Sequence, residues 1–131
     1  MIRFIFLCIA FFILTLNCFG QIGLCNNDTL FIKNDATMFV KGDFVNEHTA
    51  YENNGEFTLH GNLENKVDIL QEGSGTFRLT GPQMQIANIT GEFKTFNLEI
   101  DNDKHVMFSG NNNLSVFGDL DFTDGIFFTQ E

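Results

Sequence analysis

The chain has 131 residues, with seven Lys and Arg against seventeen Asp and Glu, and a formal net charge of −10. This length accommodates one domain at most. Because an acidic surface repels nucleic-acid phosphate and anionic membranes, we expect neither a nucleic-acid partner nor insertion of the mature chain into a membrane.

The first twenty residues predict a cleaved secretory signal peptide. Arg3 supplies a positive charge, residues 4–16 form an apolar stretch, and Cys18 and Gly20 place small residues before Gln21. The apolar stretch is short for a membrane span. We therefore expect residues 1–20 to be removed and the mature protein to be secreted or to lie at the cell surface, on the exterior of the outer membrane. An uncleaved anchor and lipid attachment at Cys18 are the alternatives.

Removal of this segment takes away Arg3 and gives the mature chain a net charge of −11. It also removes Cys8 and Cys18, so that Cys25 becomes the sole cysteine. A lone cysteine cannot form an internal disulfide, so core burial and hydrogen bonds must hold the fold together.

An apolar-x-apolar-x-Gly-(Asp/Asn)-apolar motif returns through the rest of the chain. It occupies residues 38–44, 57–63, 77–82 (where Pro replaces Asp/Asn) and 114–120. Its glycines, Gly42, Gly61, Gly81 and Gly118, are 19, 20 and 37 residues apart, and a degenerate copy at Phe96 and Leu98 fills the longest gap. A period of about 20 residues is typical of a stacked solenoid.

A second apolar pair follows the motif and predicts a second short strand in each coil. The pairs are Leu30/Ile32, Val67/Ile69, Ile86/Ile89 and Val106/Phe108. Clusters of Gly and Asn between the strands suit sharp corners, because both residues tolerate positive φ. We therefore expect an all-β, single-stranded parallel β-helix, or β-solenoid, with coils of about 19 residues over residues 21–131. A β-sandwich is the alternative.

The repeat also predicts how the coils are aligned. Phe57 and Phe77 are expected to stack directly, and Gly42, Gly61 and Gly118 are expected to lie in one row along the solenoid. Residues 124–131 stop within the next predicted strand, which leaves an open edge. We therefore expect the solenoid to be truncated at its C-terminal end.

Four aspartates are expected to meet on the outer surface of two successive coils. They are Asp101, Asp103, Asp119 and Asp121. Carboxylates this close repel one another unless a cation bridges them, so the pattern raises a calcium site, with a solvated acidic face as the alternative. Paired carboxylates also serve in glycoside hydrolysis, and Lys104 is the one base a lyase could use here. Nothing else indicates catalysis, so we expect no enzyme and no cofactor other than this calcium.

Several segments resemble the repeats of large surface proteins of the Bacteroidetes. They are residues 19–21, 39–46, 91–102 and 114–120, and the resemblance covers most of residues 28–128. It implies an exported, adhesin-like β-solenoid stalk, often delivered by the type IX secretion system. Those proteins carry a C-terminal sorting domain that this sequence lacks, which leaves the export route open.

The sequence and the resemblance together favour a non-catalytic extracellular structural or adhesive module. Surface glycans or other cell-surface proteins are the expected partners. The alternative is a carbohydrate-active β-helix, of lyase or hydrolase type, that uses the four aspartates.

Overall fold

The computed structural model describes residues 23–129, and within this range the chain is all-β, without a helix. It forms a β-solenoid of about five turns, about 21 residues apart. The predicted signal peptide, residues 1–20, lies outside the described residues, as do Gln130 and Glu131.

The chain winds around three faces, and every paired strand runs parallel to its neighbours. The first sheet consists of β1 (Leu24–Asn26), β4 (Phe44–Asn46), β7 (Leu63–Asn65), β9 (Gln85–Ile89), β12 (Val106–Gly110) and β15 (Phe127–Thr129). The second sheet consists of β3 (Thr37–Val40), β6 (Glu56–Leu59), β8 (Thr76–Leu79), β11 (Asn97–Asp101) and β14 (Leu120–Asp124). The third face carries the pairs β2 (Leu30–Ile32) with β5 (Tyr51–Asn53) and β10 (Phe93–Thr95) with β13 (Leu114–Val116).

The third face is interrupted in the middle coil. Residues 67–72 form no strand there. The middle coil still contacts both neighbours on this face: Asn53 at the end of β5 forms an isolated parallel β-bridge with Gly73, and Ile69 N donates to Glu92 O of the fourth coil at 2.9 Å. Most coils therefore contain three strands, and the prediction of two strands per coil was wrong.

Inward side chains form continuous columns through the stack. Phe57 pairs with Phe77, and their ring centroids lie 5.0 Å apart, so their direct stacking is confirmed. Phe44, Tyr51 and Phe93 pack against these two rings, and all five side chains are buried. Burial of each aromatic side chain contributes roughly 2–3 kcal/mol to stability.

A ladder of buried asparagines runs beside this aromatic core. Asn26, Asn46 and Asn65 occupy equivalent inward positions of β1, β4 and β7. Asn26 Nδ2 donates to Asn46 Oδ1, and Asn46 Nδ2 donates to Asn65 Oδ1, both at 2.7 Å. Because strands in a stack are about 4.8 Å apart, identical amides in one column can satisfy one another in this way.

The coils are longer than the predicted period of 19 residues in most of the solenoid, and along the second sheet their spacing increases toward the C-terminal end. The aligned positions of the second sheet are 19, 20, 21 and 22 residues apart; they are Met38, Phe57, Phe77, Leu98 and Leu120. The fourth and fifth coils are longer because their strands are longer: β9, β11, β12 and β14 have five residues each, whereas β4, β5 and β7 of the earlier coils have three.

The predicted row of glycines holds only in part. Gly61 N donates to Gly42 O at 3.1 Å, so these two glycines are stacked. Gly118 does not join them, because its amide donates to Phe96 O at 2.6 Å, at the corner between the third face and the second sheet. The motif at residues 114–120 therefore repeats the composition of the earlier copies but lies elsewhere on the coil.

The second apolar pair does not form one column either. Leu30 and Ile32 lie on the third face, whereas Val106 and Phe108 lie in the first sheet. The degenerate copy is shifted as well, since Leu98 and Ile100, rather than Phe96 and Leu98, pair with β8.

Candidate functional site

The four aspartates of the predicted calcium site lie around the last two strands of the second sheet, but in a different register from the one expected. Asp101 pairs with Asp124 rather than with Asp119, and a register shift separates it from Ile100. Asp121 pairs with Glu99 rather than with Asp103. The shift follows from the longer fourth and fifth coils, which move β14 along β11.

The two remaining aspartates have local partners. Asp103 accepts a hydrogen bond from Lys104 Nζ at 2.6 Å, and this contact raises the pKa of the lysine. The amide of Asp119 donates to Asn97 Oδ1 at 2.9 Å. The structure thus places Asp101 and Asp121 on neighbouring strands, with Asp103 and Asp119 in the turns beside them.

An ion-pair network crosses the outer surface of the second sheet next to these carboxylates. Arg78 Nε donates to Glu99 Oε2 at 2.7 Å, and Arg78 Nη1 lies 3.1 Å from Glu56 Oε1. Thr123 Oγ1 also donates to Glu99, at 3.1 Å. Partial desolvation lowers the pKa of Arg78, but the contacts with Glu99 and Glu56 outweigh it and raise the pKa.

This network explains what the outer carboxylates do in the fold. Arg78 joins three consecutive coils, because Glu56, Arg78 and Glu99 lie on β6, β8 and β11. The arginine remains about one-third exposed, so solvent screens the pairs and each contributes about 1 kcal/mol or less. Glu99 is engaged by two donors, and its oxygens are less available to a cation.

A shallow apolar groove opens on the outside of the third face, near the N-terminal end. Its volume is about 280 Å³, and it lies where the middle coil lacks a strand. Two strongly exposed side chains line it, Phe31 at 51 % and Leu70 at 70 %. Exposed aromatic and aliphatic side chains of this kind can contact the apolar faces of sugars or side chains of another protein.

A second exposed aromatic contact lies on the second sheet. Phe39 is 56 % exposed and packs edge-to-face against His60, with ring centroids 4.6 Å apart. Phe31, Phe39 and Leu70 were not predicted as functional residues. For Phe31 and Phe39 the signal was an apolar residue between two inward ones, whereas Leu70 lies outside the strands and follows no such pattern.

Within residues 23–129 no three His, Cys, Asp or Glu side chains are arranged so that they could hold a metal ion. The same range contains no helix that could cross a membrane. Comparisons of the chain with protein-family models, with curated proteins and with solved structures give no match.

Proposed function

We propose that this protein is a non-catalytic extracellular module, secreted or held at the cell surface, that acts as a rigid spacer or adhesive rod. The observation that carries the proposal is the continuous core: each coil is hydrogen-bonded to the next, and the same inward columns run through the stack. Each coil contacts the coils above and below it over its whole cross-section. Bending the stack would break part of this contact, so we expect the solenoid to be stiff. Each coil extends the rod by about 4.8 Å.

The sequence supplies the argument for export. The apolar leader at residues 1–20, the acidic mature chain and the resemblance to Bacteroidetes surface repeats support a location outside the cell, with the type IX system as the proposed route. Fractionation of the producing cells, protease treatment of intact cells and N-terminal sequencing test this. We expect mature protein that begins at Gln21, outside the cell or accessible to protease. Full-length protein confined to the cytoplasm would contradict the proposal.

The adhesive part of the proposal concerns the groove beside Phe31 and Leu70. We propose surface glycans or other cell-surface proteins as its ligands, because the groove is apolar and open and its rim carries Glu52 and Gln71 as polar contacts. A glycan array and binding to whole cells would be compared for the parent and the Phe31→Ser variant. Phe117→Ser is the matched control, since Phe117 is also exposed but lies at the far end of the third face. Equal binding by parent and Phe31→Ser would remove the groove as the adhesive site.

A carbohydrate-active β-helix is the second candidate, and the cross-strand pairs Asp101–Asp124 and Glu99–Asp121 are the observation that favours it. Two carboxylates on neighbouring strands can supply a general acid and a nucleophile or base. Turnover on a panel of polysaccharides decides the matter. We expect none from the parent protein; activity that disappears in Asp101→Asn with Asp121→Asn would establish the enzyme instead.

A further inference from the structure

Asn54 and Gly55 form the one Asn-Gly dipeptide of the sequence, and they lie at the corner between β5, which ends at Asn53, and β6, which begins at Glu56. Because glycine has no side chain, nothing hinders the approach of its backbone nitrogen to the amide carbon of the preceding side chain. In an unfolded chain this dipeptide is therefore prone to deamidation.

Deamidation at this dipeptide needs water as its one co-reactant. A bond forms between Gly55 N and Asn54 Cγ, the bond from Cγ to the side-chain nitrogen breaks, and that nitrogen leaves as ammonia with the proton of the Gly55 amide. Water then opens the resulting succinimide ring at either carbonyl. The products are aspartate and isoaspartate, and in isoaspartate the backbone runs through the former side chain. The attack is intramolecular, so its rate depends on whether the two groups can reach the reactive geometry.

The fold restrains the Asn54 side chain with three hydrogen bonds. Nδ2 donates to Glu52 Oε1 at 2.6 Å. Oδ1 accepts hydrogen bonds from Ser74 N at 3.0 Å and from Ser74 Oγ at 3.1 Å, and Ser74 belongs to the next coil. Attack on Cγ makes this planar carbon tetrahedral, which displaces both side-chain atoms from their partners. The stacked coils therefore oppose the first step.

The attacking nitrogen is restrained as well. Gly55 N donates its proton to Oδ1 of the buried Asn53 at 3.1 Å, whereas the attack requires this proton to leave. Gly55 is also packed between two coils: a Cβ on it would overlap the carbonyl oxygens of Ala36 and Lys33, and Gly75 of the following coil lies against its backbone. In such close packing Gly55 cannot move toward the side chain of Asn54.

We propose that Asn54 is a conformation-gated deamidation site, which stays asparagine while the second and third coils are stacked and converts to aspartate or isoaspartate once they separate. The side chain is only partly buried, so water reaches it when the contacts with Ser74 open. Separation of two coils is a local unfolding event, and its frequency sets the rate of the reaction. The inference goes beyond the proposed function, because it gives the solenoid a permanent chemical mark of having been opened.

The product of the reaction opposes restacking. Aspartate has no Nδ2 donor, so its carboxylate faces the carboxylate of Glu52 where the parent has a hydrogen bond, and the two like charges repel. Isoaspartate adds one atom to the backbone between Asn53 and Gly55, at a place where the neighbouring coils leave no room even for a Cβ. Deamidation therefore makes the opening one-way.

Mass spectrometry of the peptide that contains Asn54 tests the dependence on folding. The chain as the producing cell processes it is incubated at mildly alkaline pH in buffer, in urea just below the unfolding transition and in denaturing urea, and isoaspartate is detected by enzymatic methylation. We expect the folded protein to deamidate at least about tenfold more slowly than the unfolded chain, and the rate to rise as the transition is approached. Equal rates in buffer and in denaturing urea overturn the proposal, and so does an unfolded chain that does not deamidate.

Ser74→Ala loosens the site without changing the dipeptide. It removes one hydrogen bond to Asn54 and should raise the deamidation rate of the folded protein about threefold or more, as expected for the loss of one such bond. Ser109→Ala is the matched control, since Ser109 lies on β12, away from this corner, and it should leave the rate unchanged. An unchanged rate in Ser74→Ala, with the parent fold retained in circular dichroism, would contradict the role of the stacked coils.

Asn54→Asp tests the one-way step. It should lower the urea midpoint of unfolding, and it should do so less in a Glu52→Gln background, where the repulsion is absent. Asn34→Asp is the control, because it adds the same charge at an exposed position, and it should leave the midpoint nearly unchanged. If Asn54→Asp and the recovered isoaspartate product both unfold at the midpoint of the parent, deamidated coils restack normally and the proposal is wrong.

Discussion

Asn46 donates its side-chain amide to the side-chain oxygen of Asn65, 2.7 Å away, and its own oxygen accepts the amide of Asn26 at the same distance. The three residues are buried, at 6 % exposure or less. The ladder ends at Asn65, whose amide turns to the backbone oxygens of Val67 and Gly91, both 2.7 Å away. The asparagines therefore tie the first three coils to the fourth through groups that have no access to water.

Replacement of Asn46 by leucine, which has a similar volume, should destabilise the protein by about 2–4 kcal/mol, because it leaves a buried donor on Asn26 and a buried acceptor on Asn65 without partners. Equilibrium unfolding in urea measures the change. Asn34→Leu is the control, since Asn34 is exposed, and it should alter stability by no more than about 0.5 kcal/mol. Equal effects of the two substitutions would mean that the ladder does not contribute to stability.

The same asparagines show how far the sequence leads. Asn46 and Asn65 each stand four residues after a repeat glycine. This is an even number of residues, as it is for the inward-facing apolar residues of the motif, so both asparagines are expected to face inward. A polar residue that recurs in an inward slot signals a buried polar ladder, and the repeat therefore contained this information. Because Asn is also common in turns, the pattern alone does not separate a ladder from a corner.

The predicted spacing of the repeat was wrong in the fourth coil, where two alignments of the strand satisfy the apolar alternation equally well. Phe96, Leu98 and Ile100 are all apolar and alternate with polar residues. A slip of one residue would turn the side chains to the wrong face, but a slip of two residues keeps every inward residue inward. Alternation therefore predicted the strand correctly but could not fix its register, which depends on the total number of residues in each coil.

Two strands of the third face, β5 and β10, escaped detection, whereas β2 and β13 coincide with apolar pairs that predicted strands. Both β5 and β10 are three residues long, and a period of two residues is barely expressed over such a length. The aspartate patch inherited the register error, because its members were placed by counting from Gly118 and from the degenerate copy. The stacking of Phe57 on Phe77 was predicted correctly, because the spacing of the repeat motif in the first three coils, 19 and 20 residues, equals the spacing of the paired residues in the second sheet.

Tyr51 is expected to be a source of instability in the aromatic core. Its hydroxyl is buried and has no hydrogen-bond partner among the described residues. Tyr51→Phe removes that group and keeps the ring between Phe44 and Phe93, so it should stabilise the protein by about 1–2 kcal/mol. Thermal and urea unfolding measure this. Phe44→Tyr is the reverse change on the neighbouring ring and should destabilise; a loss of stability in Tyr51→Phe would show that the hydroxyl has a partner.

Burial also gives Tyr51 a distinct pH dependence. Desolvation raises its pKa above the ordinary 10.0, so the folded chain keeps the proton when the unfolded chain has lost it. Above pH 10 the folded state thus binds more protons, and its stability falls as pH rises, by up to about 1.4 kcal/mol per pH unit. Tyr51 is the only tyrosine and the chain has no tryptophan, so ultraviolet absorbance reports its ionisation directly.

We expect the phenolate absorbance of the folded protein to stay absent at pH 10–11 and to appear together with unfolding, as followed by circular dichroism. In Tyr51→Phe the decline of stability above pH 10 should be shallower. A phenolate that titrates near pH 10 without loss of structure would place the hydroxyl in contact with solvent and contradict its burial.

The two glycines that the repeat treated as equivalent should respond differently to alanine. A Cβ at Gly61 would overlap the backbone of Gly42 in the coil below, and backbone cannot move aside, so Gly61→Ala should cost about 2 kcal/mol or more. A Cβ at Gly118 would meet the side chains of Asn97 and Phe96, which can rotate, and Gly118 is exposed. We expect Gly118→Ala to cost less than about 1 kcal/mol. Urea unfolding of both variants measures the difference, and equal costs would argue against the register described.

Calcium provides the test of the predicted metal site. In the register of the structure, Asp103 is paired with Lys104 and Glu99 with Arg78, so two carboxylates near Asp101 and Asp121 are already neutralised by cations. Ca²⁺ takes six to eight oxygen ligands, and few remain here. We therefore expect millimolar Ca²⁺ to leave the melting temperature of the protein unchanged, with Mg²⁺ at equal ionic strength as the control. A ligand that binds the folded state must raise this temperature with its concentration. A rise with Ca²⁺ alone that disappears in Asp101→Asn with Asp121→Asn would establish the site.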